Sequence, residues 1–156
     1  MLGGLSSRVA QLYAGYQEVM REKKIRRLAS DERFTEDSFD EGYRAATELL
    51  SSRPDLTAVF VSNDLPALGV LNAASDLGYS IPHDLSVVSI TDIVPARQSR
   101  PGLTTVAIPT AELAEKGIGL LMDLMNGRAT ETTVIHTSAP KLVIRGSTAP
   151  PSSISN

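Results

Sequence analysis

LTAVFVSNDLPALGVLNAASDLGYSIPHDLSVVSIT, residues 56–91, decides how the chain is read. LTAVFVS (56–62) is a continuous apolar run of strand length, the kind buried on both faces of a parallel sheet. Residues 64–77 follow as a helix closed by Gly78, the residue that most readily takes the left-handed backbone of a helix C-terminus. LSVVSIT (85–91) is a second apolar strand. Strand, helix and strand joined by short links predict parallel neighbours in an α/β sheet.

The alternation extends both ways. Val9, Leu12, Tyr13, Tyr16, Val19 and Met20 recur at helical spacing, so residues 6 to about 23 are expected to form an amphipathic helix capped near Ser6 or Ser7. IRRLAS (25–30) reads as a short strand and DERFTED (31–37) as a polar loop. In SFDEGYRAATELL, Ser38 and Glu41 have capping-box spacing, while Phe39, Tyr43, Ala46 and Leu50 share one helix face. Downstream, DIVPARQSRPG (92–102) is turn-rich, LTTVAI (103–108) is extended, and a helix opens at Pro109-Thr110 and ends near Asn126-Gly127. TTVIHT (132–137) and KLVIRGS (141–147) close the pattern as strands. The expected class is α/β, a doubly wound, mostly parallel sheet.

The 156 residues suit one domain with a real core, and 42 % hydrophobic against 21 % charged residues suits a globular one. Fifteen basic against eighteen acidic side chains, net −3, leave no basic face with which the chain itself could neutralise phosphates. The absence of cysteine excludes disulfides, thiolate-bound metal and a thiol nucleophile, and fits a cytoplasmic protein. MLGGLSSRVA lacks the charged start and apolar stretch of a signal peptide, and no run reaches the roughly 20 apolar residues of a membrane span. The ending, TAPPSSISN, reads as a loose tail from residue 149.

Two features sit badly with a self-contained domain. The chain opens on a helix whose preceding Gly3 and Gly4 look like the close of a strand that is not there. From Ile118 to Met125 only Asp123 is charged, so that helix is apolar nearly all round and needs burial against more than one layer. A fragment is therefore expected, or a chain completed by another copy or segment.

Catalytic chemistry is not visible. His83 follows a proline in a turn and His136 sits in a strand-like run, both without a partner at metal-ligand spacing. No Walker loop, dinucleotide fingerprint or nucleophile elbow occurs. What stands out is the set of strand C-terminal ends, beyond which ligands sit in open parallel sheets. Asn63-Asp64 lies at one such end and Thr91-Asp92 at the next, and Phe34 offers an apolar face for stacking. Asn63 or Asp64 reads equally as a helix cap, contributing about 1 kcal/mol, and Asp92 as the start of a turn.

The run from TAVFVSNDLPALGVLNAASDLG through Tyr79-Ser80-Ile81-Pro82-His83-Asp84-Leu85-Ser86-Val87-Val88, then Pro101-Gly102-Leu103-Thr104-Thr105 and Arg145-Gly146-Ser147-Thr148, resembles the effector-binding core of LacI/GalR-type transcriptional regulators. AGYQEVMREKKI and RFTEDSFDEGYRAATELL match in order upstream, so the resemblance covers nearly the whole chain. It implies a periplasmic-binding-protein-like type I fold, of which residues 1–148 would be the C-terminal lobe, with 109–136 packing on an absent N-terminal lobe and 149–156 as tail. The DNA-binding headpiece would lie outside these residues. Asn63 matches the effector-binding Asn, and Phe34 the aromatic before the next helix. The position that normally offers a forked Arg contact is Leu12, and the usual Asp-Asp pair is Thr91-Asp92. Arg8, about one turn from Leu12, and Ser6 complete the candidate effector set. Losing a charged fork contact removes roughly 1.5–3 kcal/mol, so the effector is not expected to be an ordinary sugar held in the ordinary way.

The resemblance implies a homodimer with contacts at Leu68, Leu71 and Asn72 of the 64–77 helix and at Ser99. It implies a small polar effector, sugar-like or related, DNA contact only through the headpiece, no membrane, no metal and no cofactor. The same fold also serves solute-binding proteins of transport systems, which is the alternative function; an α/β enzyme has no catalytic group to support it.

Overall fold

The computed structural model describes residues 7–128 and 133–150. In chain order it contains α1 (Ser7–Glu22), a 3-10 turn (Ala29–Asp31), α2 (Phe39–Ser52), β1 (Ala58–Phe60), α3 (Asp64–Asp76), β2 (Ser86–Thr91), α4 (Val94–Gln98), β3 (Thr104–Ala107), α5 (Thr110–Met125) and β4 (Lys141–Val143). The strands form one sheet in the order β1-β2-β3-β4. β1 and β3 run parallel to β2, and β4 returns antiparallel along β3, with Ala107 opposite Lys141 and Thr105 opposite Val143. This is an α/β fold on a mostly parallel sheet.

One face of the sheet holds the core. Val87 and Leu85 are fully buried with Leu50 of α2, Ala67, Ala73 and Ala74 of α3, Ala96 of α4 and Leu103, while Val59 and Val61 pack against them. α2 begins as its sequence dictates. The Ser38 side chain accepts the Glu41 N–H at 3.2 Å, but the Glu41 carboxylate turns to Arg44, so half of the capping box forms. α2 and α3 approach almost backbone to backbone, because a Cβ on Gly42 would overlap the Pro66 carbonyl and one on Gly69 the Phe39 carbonyl. α3 ends at Asp76, and Gly78 takes φ +85° just beyond it.

The Arg145-Gly146-Ser147-Thr148 stretch bolts the sheet together. Buried Ser147 donates its hydroxyl to the Val87 carbonyl at 2.6 Å, accepts the Thr104 N–H at 2.8 Å, and accepts the Val87 N–H at its carbonyl at 2.8 Å. Ala149 N–H still reaches Ser86 Oγ at 3.2 Å, so the chain stays on β2 to that point, and residues 151–156 of the expected tail lie outside the described residues.

Several expectations need correcting. β1 is shorter than the apolar run and not buried on both sides: β1 edges the sheet, and Phe60 is 42 % exposed even where it stacks on Tyr16 of α1. IRRLAS forms no strand. Leu28 is extended but joins no strand, its carbonyl accepting the Asp31 N–H at 3.0 Å, and Arg27 is drawn to Glu32 (Nε–Oε1 2.8 Å) and over the Tyr13 ring. TTVIHT forms no strand in its described part, where Val134 is 74 % exposed. Pairing in KLVIRGS stops at Val143. DIVPARQSRPG, read as a turn-rich link, contains the short helix α4, with Pro95 in its first turn.

α5 forms over the expected range, and Gly127 takes φ +66° beyond it, yet none of its residues is buried. Its fastening is polar. Glu112 accepts Ser138 N–H at 3.1 Å and Ser138 Oγ–H at 2.5 Å and pairs with Lys116 at 2.8 Å, whose ammonium also donates to the His136 carbonyl at 2.7 Å. Among the described residues no helix is long and apolar enough to cross a membrane.

Candidate functional site

The C-terminal ends of β1 and β2 lie side by side, and the helices that follow them start there. Asn63 occupies the N-cap position of α3 but makes no side-chain cap hydrogen bond. Its amide instead spans the sheet end. Thr91 Oγ1 donates to Asn63 Oδ1 at 3.0 Å, and Asn63 Nδ2 donates to Asp37 Oδ2 at 2.6 Å. A polar row Asp37–Asn63–Thr91 thus bridges the loop before α2 and the ends of β1 and β2. The physical choice between cap and bridge is resolved locally: the side chain has gone to the bridge.

Asp64, one residue on, is fully buried and does separate work. Its Oδ1 accepts the hydroxyls of Thr105, at 2.7 Å, and Ser89, while Oδ2 accepts the Ile93 N–H at 2.8 Å. A buried carboxylate with three donors is satisfied, and this one ties α3 to β2, β3 and the turn beyond β2. Offered by the sequence as a helix cap, it lies in the first turn of α3, and its partners are tertiary.

Asp92 is within the same turn, with its carboxylate engaged by Arg145 (Nη2–Oδ1 2.6 Å). Phe34, 54 % exposed, packs edge-on against Tyr13 at 5.4 Å between ring centroids. Tyr13 in turn lies against Tyr16 at 6.3 Å, and Tyr16 stacks on Phe60 at 6.2 Å. These aromatics hold α1 on the outer face of the sheet beside the polar row's β1 end. Tyr13 also donates to Glu32 at 2.6 Å, and that hydrogen bond pushes its phenol above the ordinary range. Leu12 is half-buried, one helical turn before Tyr16. Ser6 lies outside the described residues, as does the side chain of Arg8.

The structure therefore gathers Asn63, Thr91 and Asp92 at one sheet end and sets Phe34 and Leu12 with the α1 aromatics. Sequence reading missed Asp37, Tyr13, Tyr16, Phe60 and Arg145. Asp37 was hidden in a polar loop, although its place three residues after Phe34 was a signal. The tyrosines were read only as a helix face. The positions Leu68, Leu71, Asn72 and Ser99 border one open cleft of about 340 Å³ with Phe39 and Pro95. Leu71 belongs to the hydrophobic core, Leu68 is partly buried against it, and Asn72 is exposed. No group of three or more His, Asp or Glu among the described residues could hold a metal ion.

A family model described as a periplasmic binding protein-like domain matches residues 5–148. The HTH-type transcriptional repressor PurR of Serratia proteamaculans (strain 568) is 34 % identical over 139 residues, which are 88 % of this chain and 40 % of that protein. The chain thus spans about two fifths of the length of the curated relatives it matches. Among solved structures, the transcriptional regulator CelR–cellobiose complex superposes with a TM-score of 0.79 at 30 % identity, over 85 % of this chain and 40 % of that one. A LacI family transcriptional regulator from Mycobacterium smegmatis gives 0.79 at 33 % identity, over 90 % and 52 %. These relatives are regulators of transcription.

Proposed function

The chain belongs to the periplasmic binding protein-like family, among the LacI-type transcriptional regulators, and on that footing we propose that it is the C-terminal lobe of an effector-binding domain, residues 1–148. A small polar molecule enters the cleft between this lobe and an N-terminal lobe. The effector binds one inter-lobe arrangement better than the other, and that difference in affinity is the whole of the signal passed to the headpiece that contacts DNA. The protein works in the cytoplasm, where its operator is.

The observation that carries this reading is the Asn63 side chain, which forgoes the cap and lies in a row with Thr91 and Asp37 at the strand ends. An amide there offers a donor and an acceptor to a hydroxyl-bearing ligand. Phe34 adds an apolar face. With Leu12 and Thr91 at positions where LacI-type proteins carry Arg and Asp, the ligand is held by neutral contacts more than by charged forks.

α5 and the following segment, 109–136, are proposed to pack on the N-terminal lobe, which would cover Ile118, Leu121, Met122 and Met125, each more than half exposed here. The cleft bordered by Leu68, Asn72 and Ser99 is the proposed dimer surface.

Thermal shift of the two-lobed protein with sugars, polyols and nucleobases, cellobiose included, tests the function directly, since a ligand of the folded state raises its melting temperature by mass action. With a ligand in hand, Asn63→Ala weakens binding in calorimetry and leaves the fold intact. Unchanged affinity would return Asn63 to a structural role.

A further inference from the structure

The backbone at the end of β2 takes a form that most residues avoid: Thr91 has φ +133° and Asp92 φ +63°. Positive φ is especially costly for β-branched Thr, and such a backbone persists only where its surroundings over-determine it. Two ties from different parts of the fold meet there. From one side, Asp64 Oδ2 accepts the Ile93 N–H at 2.8 Å, with the carboxylate itself pinned by Thr105 and Ser89. From the other, Arg145 reaches in from just past β4. Its Nη2 donates to Asp92 Oδ1 at 2.6 Å and its Nη1 to the Leu103 carbonyl at 2.9 Å, while its backbone N–H donates to Thr104 Oγ1 at 2.9 Å. The stem lies on Gly102, where an added Cβ would come within 3.4 Å of Arg145 Cδ.

The Arg145 and Asp92 side chains are 18 % and 25 % exposed, so the pair is partly shielded from water and stronger than a surface ion pair. The planar guanidinium serves two acceptors from one fixed fork, which an ammonium cannot copy. The ends of the fork are also informative: one grips the turn, the other grips the entry to β3. The turn is thereby referenced to the sheet and to the segment on which the chain returns from α5.

We propose that Arg145 is a positioning residue of the effector site: by holding Asp92 it keeps the 91–92 turn left-handed and so keeps the Thr91 hydroxyl on Asn63. It touches no ligand. Its role in effector binding rests on the reading of Asn63 and Thr91 given above, but its hold on the turn can be measured without any ligand.

The experiment is amide hydrogen exchange and backbone coupling measurement by NMR on the 156-residue chain, comparing Arg145→Met, Arg145→Lys and Asp92→Asn with the parent. Arg145→Met keeps the stem on Gly102 and removes the fork. The Ile93 amide then exchanges about tenfold faster or more, measured against the Val61 amide on β1's exit, and the couplings of Thr91 and Asp92 move away from positive φ. Arg145→Lys recovers about a third of the protection on a log scale, as one donor replacing a fork would. Asp92→Asn, which leaves Arg145 in place and swaps the carboxylate for a neutral amide whose oxygen still accepts, loses part of the protection, and an unchanged Ile93 amide there overturns the proposal if Arg145→Met does not fold. Unmoved Thr91 and Asp92 couplings with Ile93 and Val61 exchanging in parallel would overturn the proposal, leaving Arg145 as packing alone. A ligand screen that finds nothing would instead count against the effector reading, so the two failures are distinguishable.

Discussion

α2 and α5 are helices of 14 and 16 residues in the same chain, and they solve burial in opposite ways. α2 is the less apolar of the two, yet Gly42, Ala45, Ala46, Leu49 and Leu50 are buried. α5 carries Leu113, Ile118, Leu121, Met122 and Met125 and buries nothing. The difference lies in what faces each helix. α2 meets α3 through paired glycines that admit backbone-close contact, and both rest on the sheet's core face. α5 is tied to the 136–138 segment through Glu112 and Lys116 and has no buried residue. Composition makes a helix want cover; topology decides whether cover is there.

The contrast can be broken most directly with glycines. Gly69→Val puts atoms into the Phe39 carbonyl and the Tyr43 amide and is expected to cost about 3 kcal/mol or more, read as a lowered urea midpoint. Gly117→Ala and Gly119→Ala meet no atom within 4 Å and are expected to be neutral or to gain up to about 1 kcal/mol from helix propensity. Comparable losses at both helices would mean that α5 is packed after all.

Asp64→Ala leaves the Ile93 N–H and two buried hydroxyls without their acceptor and is expected to cost about 2–4 kcal/mol in denaturant unfolding. Asp64→Asn should retain much of this, because the hydroxyls can rotate to accept from the amide while its oxygen takes the Ile93 N–H. A smaller effect, about 1 kcal/mol, is expected for Ser38→Ala, which removes the α2 cap.

The smallest effect sharpens the comparison by pH. The Lys116 ammonium, then Ser138, hold the Glu112 carboxyl down at about 2, against an ordinary value of 4.5. Because the folded value is depressed, the tie is fully present above about pH 4.5 and is lost as pH falls through about 2. NMR titration of the Glu112 carboxyl should show that midpoint, with the Ser138 amide signal moving with it and the α2–α3 signals unmoved. A midpoint near 4.5 would show the tie to be absent in solution.

Much of the fold was legible because it is locally encoded. The strand–helix–strand pattern of residues 56–91, the Ser38 cap and the glycines at 78 and 127 depend on neighbours a few residues apart, and they appear where expected. IRRLAS was misread because Arg27 is drawn to Glu32 and Tyr13, partners that periodicity does not reveal. Of the site, position alone could bring Asn63 and Thr91 to adjacent strand ends. It could not tell a capping amide from a bridging one, since both require the same residue at the same place and differ only in a side-chain rotation toward Asp37 and Thr91.

By itself the sequence determined the class of fold, the four longer helices, the strand–helix–strand unit of residues 56–91 and the excess apolar surface of α5, since propensity and periodicity act over a few residues. Tertiary structure alone decided the rest: the glycine contact of α2 with α3, the three donors around Asp64, and the Arg145 fork on a turn 53 residues earlier. Those are contacts between groups far apart in the chain, chosen by which surfaces the assembled sheet brings together, and no local pattern records them.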